Sequence, residues 1–352
     1  MSVETSGARP QSSSVSGVRE VAALAGVSVG TVSNVLNRPE NVSEATRARV
    51  ESAMKDLGFV GSRAAGQLRS KKSHLVGVVV PDVGNPFWAT VLRGIERVLD
   101  EHDLTMIVSS TRQDRKRQKH VLAGLLMQGV DGLVIAPIAD RPKEWAPLST
   151  SRYGVVTLEK LSKGTGGRWV SADNVKGARL AAGYLLDRGH RRIGMINGPE
   201  FVSWCAERRQ GVVDAIRERG LDPDEVLVLR TVSDLTVEEG RRAASELVGS
   251  GTVTAVFCVN DMLALGALVQ ANDQELRVPQ DVSIMGYDDV DFASALSAPL
   301  TTIRQPAYEI GKAAARLLIS KTALGVEEHV EFTPELIERA SVASVEAGTS
   351  VM

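Results

Sequence analysis

Five residues near the N-terminus, Val29, Gly30, Thr31, Ser33 and Asn34, are small or polar in a stretch whose other positions, Val32, Val35 and Leu36, recur at the spacing of a helix face turned inward. The outward set carries hydroxyls suited to phosphate oxygens. It also carries an amide able to bond adenine bidentately or to offer a single donor or acceptor elsewhere. That chemistry suits a helix whose N-terminal end approaches base edges. A second group of polar residues lies far downstream. Asp82 and Asn85 follow the apolar run LVGVVVP, Asn260 and Asp261 follow VFCV, and Asp288 follows SIMGY. Polar groups beyond the carboxyl ends of parallel strands are where open α/β sheets bind ligands.

The elements that must hold the first group are legible around it. Val18, Val21, Ala22, Leu24 and Ala25 fall at helical spacing before it, Gly26 permits a sharp turn, and Ser28 can cap the outward-facing helix. A third helix is predicted from Ser43, with Ala45, Val50, Ala53, Met54 and Leu57 on one stripe and a stop at Gly58. Together they form a helix-turn-helix of about 40 residues, near the lower limit for independent stability. Residues 18–72 hold nine Lys or Arg against five acids, a net of +4 in a chain whose overall charge is −2. Positive charge is gathered where a polyanion would be met.

The elements that must hold the second group alternate strand and helix. Runs at 75–81, 104–110, 132–137, 192–198 and 255–260 are short and rich in β-branched residues, with helical stretches such as 86–102 and 113–128 between them. Each run is predicted to be buried on both faces, which requires covering helices and parallel α/β sheets. The 352 residues leave room for about two ordinary domains beside the small N-terminal module. The Ser-rich first 17 residues lack the apolar core of a signal peptide. No segment reaches the roughly 18 uninterrupted apolar residues of a membrane span, so a cytoplasmic, nucleoid-associated protein is expected. Cys205 and Cys258 make no C-x-x-C pair and the five histidines are scattered, so neither a metal nor a disulfide framework is expected. The basic run RQDRKRQK at 112–119 reads as a solvated helix face. GTGG at 164–167 is too short for a phosphate loop.

The segments VREVAALAGVSVGTVSNVLN, PDVGNPFW, QGVDGLVIAP, SADN, LLDRGHRRIGMINGP, VFCVNDMLALGAL, RVPQDVSIMGYDDV, LTTIRQP and LIERASV stand in the order found in bacterial transcription regulators of the lactose-repressor (LacI/GalR) family. The chain resembles that family from Val18 to about Val345. The resemblance implies a disordered tail (1–17), a DNA-binding headpiece (18–60), a hinge (61–73), an effector-binding and dimerisation body (74–345) and a short tail (346–352). The body would be periplasmic-binding-protein-like, with one subdomain at about 74–172 and 304–329 and the other at about 173–303 and 330–345. The chain would cross between them near Asp173, Arg304 and His329.

Residue by residue, the resemblance places Val29, Gly30 and Asn34 at base-reading positions, and Ser28, Thr31, Ser33 and Asn37 at phosphate contacts. Gly30 departs from a larger polar side chain, which either leaves a base unread or admits close backbone approach. In the hinge, Leu68 matches a leucine that wedges into the minor groove at the operator centre, with Ala65 beside it. Gly61 stands where proline is frequent, and Gly66 weakens the hinge helix by about 1 kcal/mol against Ala. Asp288, Arg208 and Asn260 match effector-binding positions. Phe87 and Trp88 align with aromatics of the first subdomain, and Trp204 lies in a loop that often reaches the ligand. Such a set suits a sugar or sugar derivative; a purine stacked on Trp204 or Phe87 is the alternative.

Competing structural readings apply to the same residues. Phe87, Trp88 and Trp204 equally suit a core, Arg208 and Asp288 a structural salt bridge, Asn34 a solvated helix face, and Leu68 a linker contact. The functional expectation is a homodimeric repressor on a roughly palindromic operator, controlled by a small molecule. A sugar-binding protein without promoter control is disfavoured by the basic headpiece. No G-x-G-x-x-G or G-K-[ST] loop follows an early strand, so neither an enzyme nor a bound cofactor is expected. The last residues contain no leucine heptad that would join dimers into tetramers.

Overall fold

The computed structural model describes residues 17–59, 73–138, 142–160, 167–248, 251–320 and 328–345. The chain divides into two compact units, Met1–Ser73 and His74–Met352. The hinge residues Ala65 and Leu68, most of the N-terminal tail and the C-terminal tail lie outside the described residues.

In the first unit, α1 (Val18–Ala25), α2 (Val29–Asn37) and α3 (Glu44–Asp56) enclose Val21, Ala22, Ala25, Val32, Val35, Val50 and Ala53. Gly26 ends α1 in the left-handed region at φ 62°, where a side chain would be strained, and its N–H reaches the carbonyls of Ala22 and Ala23. Ser28 caps α2, its hydroxyl accepting from the Thr31 N–H at 3.0 Å. Three expected core residues are instead exposed: Leu24 at 54 %, Leu36 at 39 %, and Ala45. Each sits at the margin of its helix's apolar arc, and the three-helix core is too small to cover a wide stripe.

The second unit begins with β1 (Leu75–Val80), α4 (Pro86–Asp100), β2 (Thr105–Ser110), α5 (Arg115–Met127), β3 (Gly132–Ile135), β4 (Gly154–Thr157) and β5 (Arg168–Ala172). There follow α6 (Asn174–Asp187), β6 (Ile193–Asn197), α7 (Ser203–Glu218), α8 (Pro223–Val226), β7 (Leu227–Thr231), α9 (Val237–Val248), β8 (Ala255–Cys258), α10 (Asp261–Asp273) and β9 (Ser283–Met285). The chain closes with β10 (Thr302–Arg304), α11 (Ala307–Ile319), β11 (Glu328–Phe332) and β12 (Glu335–Ile337).

Two parallel sheets result, ordered β11-β5-β4-β3-β1-β2 and β7-β6-β8-β9. The runs in β3, β6 and β8 are buried throughout, as their continuous apolar character requires. β2 is not. It forms the edge of the six-stranded sheet and its residues are half-buried or exposed, because one of its sides has no neighbouring strand. Each sheet has its own core, around Val78, Ile95 and Leu318 in one subdomain and Met195, Phe257 and Tyr287 in the other.

The chain passes between the subdomains three times. Asp173 marks the first passage: β5 ends at Ala172, and the Asp173 carboxylate accepts from the Lys176 N–H at 2.9 Å to start α6. The second runs through β10 into α11. The third falls after Phe332, beyond the position expected near His329, because β11 continues its pairing with β5 from Glu328↔Arg168 to Phe332↔Ala172. β12 then pairs antiparallel with β10. Helix α11 docks on α4 through facing glycines, since a Cβ at Gly94 would lie 2.1 Å from the Tyr308 carbonyl and one at Gly311 would lie 2.0 Å from that of Val91. Among the described residues no helix is long and apolar enough to cross a membrane.

Candidate DNA-reading headpiece and effector cleft

On the first unit, Val29, Gly30 and Asn34 are exposed at one side of α2. Ser28 and Thr31 bond each other through their hydroxyls at 2.9 Å, beside the cap, and Ser33 is half-buried. Asn37 closes the helix. Val29 is 47 % exposed. An apolar β-branched side chain left in water at a helix N-terminus has a natural counterpart in a thymine methyl group. The nearest atom to a Cβ added at Gly30 would be Ser28 Oγ at 3.5 Å, an ordinary contact. The fold therefore does not require glycine there. Gly30→Ala is expected to raise the headpiece's thermal midpoint through about 0.5–1 kcal/mol of helix propensity. Operator affinity of the same variant separates the two readings of this position: a loss means close backbone approach to DNA, and no change means an unread base.

In the second unit, a cleft lies between the two subdomains at the carboxyl ends of both sheets, with about 680 Å³ of unfilled space including its open mouth. Phe87, Trp88, Trp204, Arg208, Asn260 and Asp288 all line it. Arg208 reaches it from α7. Its Nε donates to Asn174 Oδ1 at 3.0 Å, its Nη1 donates to the Val259 carbonyl and stands 3.8 Å from Asp288 Oδ1, and its guanidinium lies over the Tyr287 ring at 3.6 Å and the Trp204 ring at 4.7 Å. Asp288 also accepts from Gln305 Nε2 at 2.8 Å. Burial pushes its carboxyl up to about 6 against the pull of Arg208 and Gln305.

Several of these residues serve packing or capping while lining the cavity. Phe87 and Trp88 pack edge to face, 5.0 Å between centroids, and belong to a core while forming a cleft wall. Asn260 caps α10, accepting from the Leu263 N–H at 2.8 Å. Asp261, expected with the strand-end polar groups, does not line the cavity. Its fully buried carboxyl group accepts from Thr302 Oγ1 at 2.7 Å and the Val290 N–H at 2.9 Å, pinning the loop that carries Asp288. That loop is held in unusual backbone, with φ 118° at Asp288 and 58° at Asp289. Asp289 faces away from the cavity. It pairs with Arg304 at 2.7 Å and Arg339 at 2.6 Å, tying the loop to the segments that pass between subdomains.

Several cleft residues have no counterpart in the sequence-based set: Gln113, Glu159, Asn174, Asp234 and Gln305. Glu159 follows β4, so the rule that selected Asp82 and Asp288 would have found it once GVVT was read as a strand. Gln305 lies in LTTIRQP, a motif that supports the resemblance without itself naming a contact. Glu159 is buried. Burial, reinforced by Glu207, raises it to about 8, and burial first, then Asp288, raises Asp261 to about 8. Both groups keep their protons in the folded chain where the unfolded chain has lost them. The folded state thus binds more protons, and stability falls as pH rises from the ordinary carboxylate range through about 8. The thermal midpoint of the body is expected to drop over that window, and Glu159→Gln to flatten part of the drop. A midpoint that rises with pH would contradict this.

Cys205 and Cys258 are both buried and free, with the Cys205 thiol pushed up by burial to about 12. The described residues hold no cluster of three or more His, Cys, Asp or Glu suited to a metal ion.

Comparison with known proteins identifies both parts of the chain. The profile of bacterial regulatory proteins of the lacI family matches residues 18–62, and that of a periplasmic binding protein-like domain matches 182–342. The HTH-type transcriptional repressor CytR of Escherichia coli (strain K12) is 35 % identical over 313 residues, 86 % of this chain and 89 % of its own. Among solved structures, the lac repressor dimer bound to operator and the anti-inducer ONPF is 28 % identical, with a TM-score of 0.79, and the match covers 94 % of this chain and 100 % of that one. A LacI family regulator from Enterococcus faecium with bound ribose is also 28 % identical, with a TM-score of 0.69 over 77 % of this chain and 100 % of its own. The chain belongs to the lacI family of bacterial regulatory proteins. It is a DNA-binding transcription regulator with a small-molecule effector, and not an enzyme.

Proposed function

We propose that the protein is a repressor that binds a roughly palindromic operator as a homodimer and whose operator affinity is set by a sugar or sugar derivative held between its two α/β subdomains. In this reading Val29, Gly30 and Asn34 read bases, while Ser28, Thr31, Ser33 and Asn37 position the helix on phosphates. Leu68, with Ala65 beside it, wedges the operator centre. The subdomains comprise about 74–172 with 304–332, and 173–303 with 333–345. Asp288, Arg208 and Asn260 meet ligand hydroxyls, and Trp88, Phe87 and Trp204 cover its apolar face. The observation that carries the effector half is the gathering of all six of these residues, drawn from distant parts of the sequence, around one cavity. Ribose bound in the Enterococcus relative supports a sugar in particular.

Control follows from differential binding. A ligand that bridges the subdomains stabilises one of their relative arrangements, and operator affinity changes to the extent that DNA favours the other. The experiment is selection of random duplex DNA by the full-length protein, at a stated salt concentration, with and without a panel of sugars and purines. Enrichment of an inverted repeat whose recovery changes with a sugar is expected. A response to purines alone would replace the sugar reading, and no enriched repeat would overturn operator recognition.

A further inference from the structure

The polar atoms of the cleft are strongly lopsided. Several of its donors already have protein acceptors: Arg208 serves Asn174 and Val259, Gln305 Nε2 serves Asp288, and Asn260 Nδ2 points to the Leu235 carbonyl at 3.4 Å. Gln113 Nε2 donates across the cleft mouth to Asp234 Oδ1 at 3.3 Å. One acceptor atom is left over. Gln113 Oε1 is buried without a hydrogen-bond partner, and its residue lines the cavity. Gln113 is presented by two successive residues in left-handed backbone, Arg112 at φ 50° and Gln113 at φ 55°. An unpaired buried acceptor is costly, so a ligand that donates to it is favoured.

Charge points the same way. Among the described residues the lining carries Asp82, Asp234 and Asp288, beside a protonated Glu159, against the cation Arg208, which Asp288 already faces at 3.8 Å. A phosphate or carboxylate entering this space would compete with Asp288 for that arginine and would be brought beside carboxylates. Resting on the effector reading of the cleft given above, we infer that it selects a donor-rich ligand without an anionic group, either a neutral polyol or an amine-bearing sugar, and rejects sugar phosphates and sugar acids. Gln113, Asp82 and Asp234 are the acceptors that enforce the choice.

The test is calorimetric titration of the full-length protein with matched sets: ribose and ribose 5-phosphate, and glucose, glucosamine, glucose 6-phosphate and glucuronate. In any set that binds, the neutral or amine form is expected to bind at least about tenfold more tightly than its anionic counterpart. Asp234 is exposed, so Asp234→Lys should fold normally, and it is expected to narrow that gap several-fold. Anionic members that bind as tightly as neutral ones overturn the inference while leaving a sugar-derivative effector in place. Failure of every member to bind removes the sugar reading itself, and the inference with it.

Discussion

Asp288→Asn is expected to leave the operator affinity of the unliganded protein unchanged while moving the effector response to about a hundredfold higher ligand concentration, a loss of about 2–3 kcal/mol. The carboxylate lies 6 % exposed on the cleft wall, 3.8 Å from Arg208 and 2.8 Å from Gln305. Asparagine retains an oxygen for Gln305 and tolerates positive φ better than most residues, which matters at φ 118°. The substitution therefore removes the charge and one acceptor with little cost to the loop. Alanine at the same position would add backbone strain and confuse the result. Titration of labelled operator by fluorescence anisotropy over a range of effector concentrations reads both quantities. A wild-type response would return Asp288 to a purely structural ion pair.

On the DNA side, Asn34→Ala is expected to lose about 1–3 kcal/mol of discrimination between the selected operator and a scrambled duplex, while nonspecific affinity and its salt slope hardly move. Asn34 is exposed on α2 and outside the headpiece core, so its loss costs the fold little. Competition between the two duplexes at fixed salt measures the difference. Equal losses on both would assign Asn34 to phosphate contact, and no loss on either would leave it a solvated helix residue.

Much of this was legible in the sequence because it is local. The cap at Ser28, the turn at Gly26 and the buried Val21, Val32 and Val50 follow from spacing and from the conformational needs of single residues. Helical spacing was a poorer guide at the edges of the stripe, where Leu24, Leu36 and Ala45 proved exposed, since burial there depends on how far the neighbouring helices reach. Strand runs identified parallel sheets but not their order. Nothing in LTMIVSS distinguishes an edge strand from a central one, and nothing near His329 shows that β11 continues to Phe332 beside β5. The cleft divides in the same way. Asp288 is marked by its place after a strand, whereas Gln113 is defined by Asp234, a residue 121 positions away, and Gln305 by the loop it supports.

On this reading one chain holds two coupled sites, one for operator and one for effector. Coupling of binding equilibria is reciprocal by thermodynamic necessity. The decisive measurement is therefore a closed cycle: operator affinity with and without saturating effector, and effector affinity with and without saturating operator, on the same full-length protein in the same buffer. Equal factors are expected, on the order of 5–150-fold. Operator affinity that is indifferent to a ligand bound in the cleft would contradict that reading.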